Sequence, residues 1–256
     1  MSANSTAPQI EFEDVMKSYG TGRIVLESIN LRVCKGEFVS LIGPSGCGKS
    51  TVLKLIAGLT PASAGTIRVD GMTPQNARET VSFIFQDATL LPWRTVTQNV
   101  GLGLELEHVS RARRAEKAAS LLQLVGLGEV ADAYPRELSG GMRMRASIAR
   151  ALATNPRLLL MDEPFAALDE MTRDRMNEEL LRLRGEQGWT AVFVTHSVAE
   201  AVFLSTRIVV LAPHPGRVHK ILSVDLPYPR TAALRGSPEF EALVGHTSHV
   251  LREAFV

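Results

Sequence analysis

Near the start of the chain apolar and polar positions alternate. Ile10 and Phe12, then Ile29, Leu31 and Val33, are each separated by one polar residue, the two-residue period of strands with one covered face and one wet face. Further on the pattern changes to short, almost wholly apolar runs at Phe38 to Ile42, Val81 to Phe85, Leu158 to Met161, Ala191 to Val194 and Ile208 to Leu211. Runs of that kind suit a sheet covered on both faces.

Helical periodicity fills the intervals. Ser110 is placed to cap a helix that begins with RARRAEK and continues into LLQLVGL. Ser139 is placed to cap a second helix running through Leu152, and Asp169 to Leu183 forms a third, charged on one side. Ser197 with Glu200 matches a capping box ahead of VAEAVFL. From about 87 to 155 the pattern is helical with no buried-strand run, which predicts a helical insertion in an α/β core. Beyond Val224, proline punctuation gives way to an amphipathic series, Phe240, Leu243, Val244, Val250 and Leu251, expected to be a terminal helix packed on the core. There is no internal repeat and no low-complexity tract.

Composition adds exclusions. At 256 residues, 45% hydrophobic and 21% charged, the chain can bury a large core and reads as an ordinary globular protein. Its 28 Lys and Arg against 27 Asp and Glu give no bulk charge to drive nucleic-acid binding, so no nucleic-acid partner is expected. The two cysteines, Cys34 and Cys47, are too few for a disulfide framework and fit a reducing compartment. The opening MSANSTAPQ lacks a basic segment followed by an apolar one and reads as a frayed start, not a secretion signal. No apolar run approaches the roughly 18 to 20 residues that cross a bilayer, so the chain is not expected to span one.

Two stretches carry candidate chemistry. GPSGCGKST, comprising Gly43, Pro44, Ser45, Gly46, Cys47, Gly48, Lys49, Ser50 and Thr51, sits between the Phe38 to Ile42 strand and a helix start at KSTVLKLIA. Glycines there free the backbone to curl N–H groups toward phosphate oxygens, and the positive end of a helix dipole adds to the attraction. In such a loop Lys49 reaches the β and γ phosphates of a nucleotide and the Ser50 hydroxyl ligates Mg²⁺. A glycine-rich turn without a ligand is the bland alternative. The strand, loop, helix context favours the phosphate loop. The second stretch, LLLMDEP, delivers Asp162 and Glu163 at the carboxyl end of a buried strand, where ligands bind in open α/β sheets. There Asp162 would hold Mg²⁺ and Glu163 would act as general base on the attacking water. An acidic pair at a strand end is also common surface decoration, but a phosphate loop needs a metal-binding acid from a neighbouring strand.

At this point the ordered set of motifs resembles the ATP-binding cassette nucleotide-binding domains over nearly the whole chain. After the phosphate loop come Gln86 in FIFQD, LSGGM from Leu138 to Met142, LLLMDEP, the Ala167-Leu168-Asp169 turn and His196 in FVTHS. The resemblance implies a P-loop NTPase α/β fold: a mixed sheet flanked by helices, with an antiparallel β subdomain and an inserted α-helical subdomain. The implied division is a core of about 1–86 and 156–222, a helical signature subdomain of about 87–155 and an extension of about 223–256.

The resemblance also implies roles. Ser139, Gly140 and Gly141 would present N–H groups to the γ phosphate of ATP held by an opposite protomer. Met142 stands where the family usually has Gln, which leaves those backbone donors in place. His196 would contact the γ phosphate and hold Glu163 and the water in line, and Gln86 would sense Mg²⁺ and that water. Tyr19 in KSYG would stack on adenine, Asp169 would belong to a loop crossing the dimer seam, and Cys47 has no redox role. ATP and Mg²⁺ are the implied ligands. The implied partners are a second copy of the chain or a paralogous cassette, two transmembrane permease subunits docking near Gln86 and the following TLLPWRTVTQNV, and, indirectly, a solute-binding protein. The implied location is peripheral, on the cytoplasmic face of the inner membrane. FAALDEMTRDRMNEEL and FVTHSVAEAVFLSTRIVVLAPHPGRV resemble the bacterial nitrate, sulfonate and taurine importers. The competing readings are a soluble cassette ATPase, which usually carries paired cassettes or coiled-coil insertions, and a P-loop small-molecule kinase, which has no need of LSGGM or the His196 segment.

Overall fold

The computed structural model describes residues 8–20 and 22–255, so most of the opening MSANSTAPQ lies outside the described residues. Two long strands, β1 (Pro8–Tyr19) and β2 (Arg23–Cys34), pair antiparallel with several register shifts. The expected alternation is seen: Ile10, Phe12, Ile29, Leu31 and Val33 are all buried. After β3 (Phe38–Ile42) and α1 (Lys49–Ile56) comes β4 (Ala64–Val69), which adds to the other edge of β1.

Next along the chain are β5 (Val81–Ile84), α2 (Val96–Val100), α3 (Leu102–Leu106), α4 (Arg111–Leu124), α5 (Gly140–Ala153) and β6 (Leu158–Asp162). The remainder comprises α6 (Glu170–Gln187), β7 (Thr190–Val194), α7 (Val198–Leu204), β8 (Arg207–Ala212), β9 (Arg217–Ser223) and α8 (Pro238–Glu253). The second sheet runs β5-β6-β7-β3-β8-β9, parallel except for the antiparallel β8-β9 pair. Strands β3, β6 and β7 are buried along their whole length. One face packs on α1 and the antiparallel sheet, the other on the helices. This is the mixed sheet, antiparallel sheet and helical layer of a P-loop NTPase.

Several local expectations need adjustment. Val81 to Phe85 was expected to be fully covered, but β5 ends at Ile84 and only Ile84 is buried, because β5 is the edge strand. The α4 helix stops at Leu124, and the Ser110 side chain makes no capping bond. Asp169 is the N-cap of α6, which runs beyond Leu183 to Gln187 and ends at the left-handed Gly188. The capping box at Ser197 is half formed. Ser197 Oγ accepts from the Glu200 N–H, but the Glu200 carboxylate turns to the Thr195 hydroxyl instead. The terminal amphipathic series does form a helix, with Phe240 and Val250 buried against α7 and the core.

Candidate functional site

Between β3 and α1 the chain folds into a tight turn whose backbone excludes side chains at two points. Gly48, the N-cap of α1, has φ 98°, and a Cβ there would overlap Leu26 Cδ2. At Gly43 a Cβ would lie 2.7 Å from the Leu211 carbonyl oxygen. With the first intrahelical bond running from Val52 N to Gly48 O, the N–H groups that open α1 have no helical partner and are available to an anion. Lys49, 5% exposed, donates from Nζ to the carbonyls of Gly43 (2.8 Å) and Pro44 (3.0 Å). Cys47 is buried beneath the turn, and burial pushes its thiol up from the ordinary value, which leaves it a packing residue.

Sheet order brings the acids to this turn. Because β7 separates β3 from β6, Ser50 in the first turn of α1 reaches past it, and its Oγ donates to Asp162 Oδ1 at 2.9 Å. Asp162 is 6% exposed. Burial holds its carboxyl above the usual range, and the neighbouring Glu163 adds to this, while the Ser50 hydroxyl, Lys54 and Lys49 oppose it. Two hard oxygen donors in contact, one of them a desolvated carboxylate seeking positive charge, fit Mg²⁺. Among the described residues no group of three or more His, Cys, Asp or Glu is arranged to hold a metal ion by itself; Mg²⁺ commonly keeps several waters and takes further ligands from phosphate.

Glu163 occupies a left-handed backbone conformation, φ 51°, and its N–H donates to Val194 O at 3.0 Å. That conformation costs a non-glycine residue about 1 kcal/mol, and here it turns the carboxylate out of the strand toward the cleft. Glu163 Oε1 lies 2.6 Å from His196 Nε2, a contact that needs a hydrogen on one of the two atoms. Gln86 Nε2 donates to Oε2 at 3.4 Å. The cleft these groups share with the turn, about 390 Å³, is also lined by Tyr19, Val25, Ser45, Gly46, Gly48 and Thr51. Tyr19 is 43% exposed at its rim with Lys17 Nζ 4.6 Å over the ring.

Ser139, Gly140, Gly141 and Asp169 do not line that cleft. Ser139 caps α5, accepting from Met142 N at 3.2 Å, and Asp169 caps α6, accepting from Thr172 N at 2.9 Å. That bond, first among several contacts, holds the Asp169 carboxyl below the ordinary value. The two turns adjoin, since a Cβ on Gly141 would lie 3.2 Å from Leu168 Cδ2. Both present exposed groups.

Sequence reading missed Val25 in the cleft and a group behind it, the buried Thr195 and Glu200 with the partly exposed Arg173, which line a second cleft of about 290 Å³ shared with Glu163 and His196. Only the half-matched capping box at Ser197 signalled Glu200. A larger cleft, about 730 Å³, lies among the helices between Arg94, Thr97, Glu105 and Arg114. It shares no lining residue with the cleft at the phosphate turn.

The family model described as ABC transporter matches residues 26–166. The chain belongs to the ABC transporter family. It is an ATP-binding cassette with ATPase activity. The cassette is 43% identical over 249 residues to the taurine import ATP-binding protein TauB of Rhizobium johnstonii, covering 92% of this chain and 94% of the relative. It is 43% identical over 235 residues to the nitrate import ATP-binding protein NrtD of a Synechocystis species, covering 90% and 88%. Among solved structures it resembles the ATP-binding cassette MJ0796 in a dimeric post-hydrolysis state bound to ADP and Pi, with TM-score 0.79 and 34% identity over 85% of this chain and all of the other.

Proposed function

We propose that this cassette is the ATP-hydrolysing subunit of an importer for a small solute of the nitrate, sulfonate or taurine kind. It would work as a pair of cassettes, or with a paralogous cassette, on two transmembrane permease subunits at the cytoplasmic face of the inner membrane. The solute would arrive by way of a binding protein. The observation that carries the catalytic part is the Glu163 carboxylate held between His196 and Gln86 beside the Ser50 and Asp162 pair.

In this reading the Gly43 to Thr51 turn and the start of α1 bind the triphosphate through backbone N–H groups. Lys49 leaves the loop carbonyls for the β and γ phosphates, and Tyr19 stacks on adenine. Ser50 and Asp162, with Gln86 nearby, would hold Mg²⁺, which supplies charge neutralisation of the phosphates. Glu163 accepts the proton of the attacking water, and His196 keeps that carboxylate aimed and touches the γ phosphate. The turn of the exposed Ser139 and Gly140 and the half-buried Gly141, together with Asp169, being away from the chain's own cleft, completes the site of the opposite protomer. Loss of the γ phosphate then removes charge-assisted contacts to both halves together and lets them part. The division into a core of about 1–86 and 156–222, a signature subdomain of about 87–155 and an extension of about 223–256 belongs to the same reading. Trp93, 71% exposed just after Gln86, suits a permease contact, and no helix among the described residues is long and apolar enough to cross a membrane. Purification with its membrane companions tests this: the complex should pair its cassettes on adding MgATP and release phosphate. A preparation that does neither refutes it.

A further inference from the structure

Behind the cleft, a chain of contacts joins the segment carrying His196 to the turn carrying Asp169. Strand β7 ends at Val194, and the buried Thr195 follows it. Thr195 Oγ1 accepts from the Ser197 N–H at 3.0 Å and donates to Glu200 Oε2. The peptide that follows His196 is thus fixed by one hydroxyl, and that hydroxyl is fixed by the Glu200 carboxylate. The other carboxylate oxygen faces α6: Arg173 Nε lies 3.4 Å from Glu200 Oε1, and Arg173 Nη2 donates to Leu168 O at 3.0 Å. Leu168 is the residue before Asp169.

We propose that Glu200 and Arg173 are positioning residues for hydrolysis. Their ion pair ties the His196 segment to the Leu168-Asp169 turn, so that closure of the cassette pair at that turn is felt as alignment of His196 on Glu163. This rests on the reading of Glu163, His196 and Asp169 given above. Neither residue touches the reacting atoms. Glu200 is 6% exposed, so its carboxylate is committed to Thr195 and Arg173 rather than to solvent. With Glu200 buried and the Arg173 side chain 33% exposed, the pair constrains geometry more than it adds stability, because desolvation of the carboxylate offsets the attraction. The linkage is short: three side chains and one carbonyl span two loops that are about thirty residues apart in sequence, and misplacing a catalytic group by about 1 Å lowers rates about a hundredfold.

Steady-state kinetics on the full cassette with its membrane partners test this. Glu200→Gln and Arg173→Met should each lower kcat by about tenfold or more while leaving KM for MgATP within about twofold. The double variant should be no slower than the slower single one, since both cut the same tie, and Arg173→Lys should recover much of the rate. Should Arg173→Met fail to fold, Glu200→Gln, equal in size, carries the test together with Arg173→Lys. Folded variants with wild-type kcat, a rise in KM at constant kcat, or single losses that multiply in the double variant would overturn the tie. If the wild-type complex hydrolyses ATP and these variants do so at the wild-type rate, only this inference falls. A wild-type complex that cannot hydrolyse ATP sinks the reading beneath it.

Discussion

Replacing Glu163 by Gln separates binding from chemistry with little change of shape. The Gln Oε1 can still accept a hydrogen from His196 Nε2, the contact that measures 2.6 Å in the parent. The bond from Gln86 is lost, because two amide nitrogens would face each other, but Gln86 is exposed and can turn to water. The left-handed backbone at φ 51° treats the two side chains alike. Stability should therefore change by no more than about 0.5 kcal/mol. Removing the charge also lessens the repulsion that helps raise the Asp162 carboxyl, so Asp162 ionises more readily and the metal pair with Ser50 is kept. What disappears is the proton acceptor. General-base catalysis contributes about 10² to 10⁴ in rate, equivalent to about 2.7 to 5.4 kcal/mol at about 1.36 kcal/mol per decade. We expect kcat to fall by that factor, nucleotide affinity to stay within about threefold, and an ATP-dependent pair of cassettes to accumulate on size exclusion with light scattering. Hydrolysis near the wild-type rate would remove Glu163 from the chemistry. A slow enzyme that never accumulates the pair would break the link between hydrolysis and opening.

Other expectations come from the same geometry. The Asp162 carboxyl is raised in the folded state, so its proton binds more tightly there than in the unfolded chain. That contribution favours folding below the ordinary Asp value and is lost as pH rises through the raised one; thermal melts should show Asp162→Asn gaining more Tm near about pH 7.5 than near about pH 4, while hydrolysis is lost. Gly48→Ala combines positive φ with overlap on Leu26 and should cost about 2 kcal/mol or more, a Tm lower by at least about 4 °C, with weakened nucleotide binding. Arg230, 4% exposed, donates to the carbonyls of Val202, Phe203 and Ser205 at the end of α7. Arg230→Met should destabilise by about 3 kcal/mol in denaturant titrations, and an unchanged midpoint would show those carbonyls to be satisfied otherwise.

How much of this was legible follows from which contacts are local. Strands β3, β6 and β7 could be read because both faces are covered and the run is apolar from end to end. Strands β4 and β9, AGTIRV and RVHKILS, are mostly exposed or half-exposed; they owe their conformation to pairing with β1 and β8, and no run of sequence announces that. The phosphate turn was legible because its glycines answer to backbone geometry within a few residues. The neighbourhood of Asp162 and Ser50, 112 positions apart, could be inferred only from the demand of phosphate chemistry for a metal-binding acid. Arg173 and Glu200 belong to different helices and meet through tertiary packing alone, and a lone arginine on a charged helix carries no mark of it.

The strand that feeds the phosphate turn lies in the middle of its sheet, between β7 and β8, with Leu41 opposite Val194 on one side and Val209 on the other. During synthesis that strand emerges early and must wait for some 150 further residues before either neighbour exists. A nascent chain stopped short of β8 leaves one of its edges open, so the nucleotide pocket cannot mature on the ribosome until Arg207–Ala212 has been made.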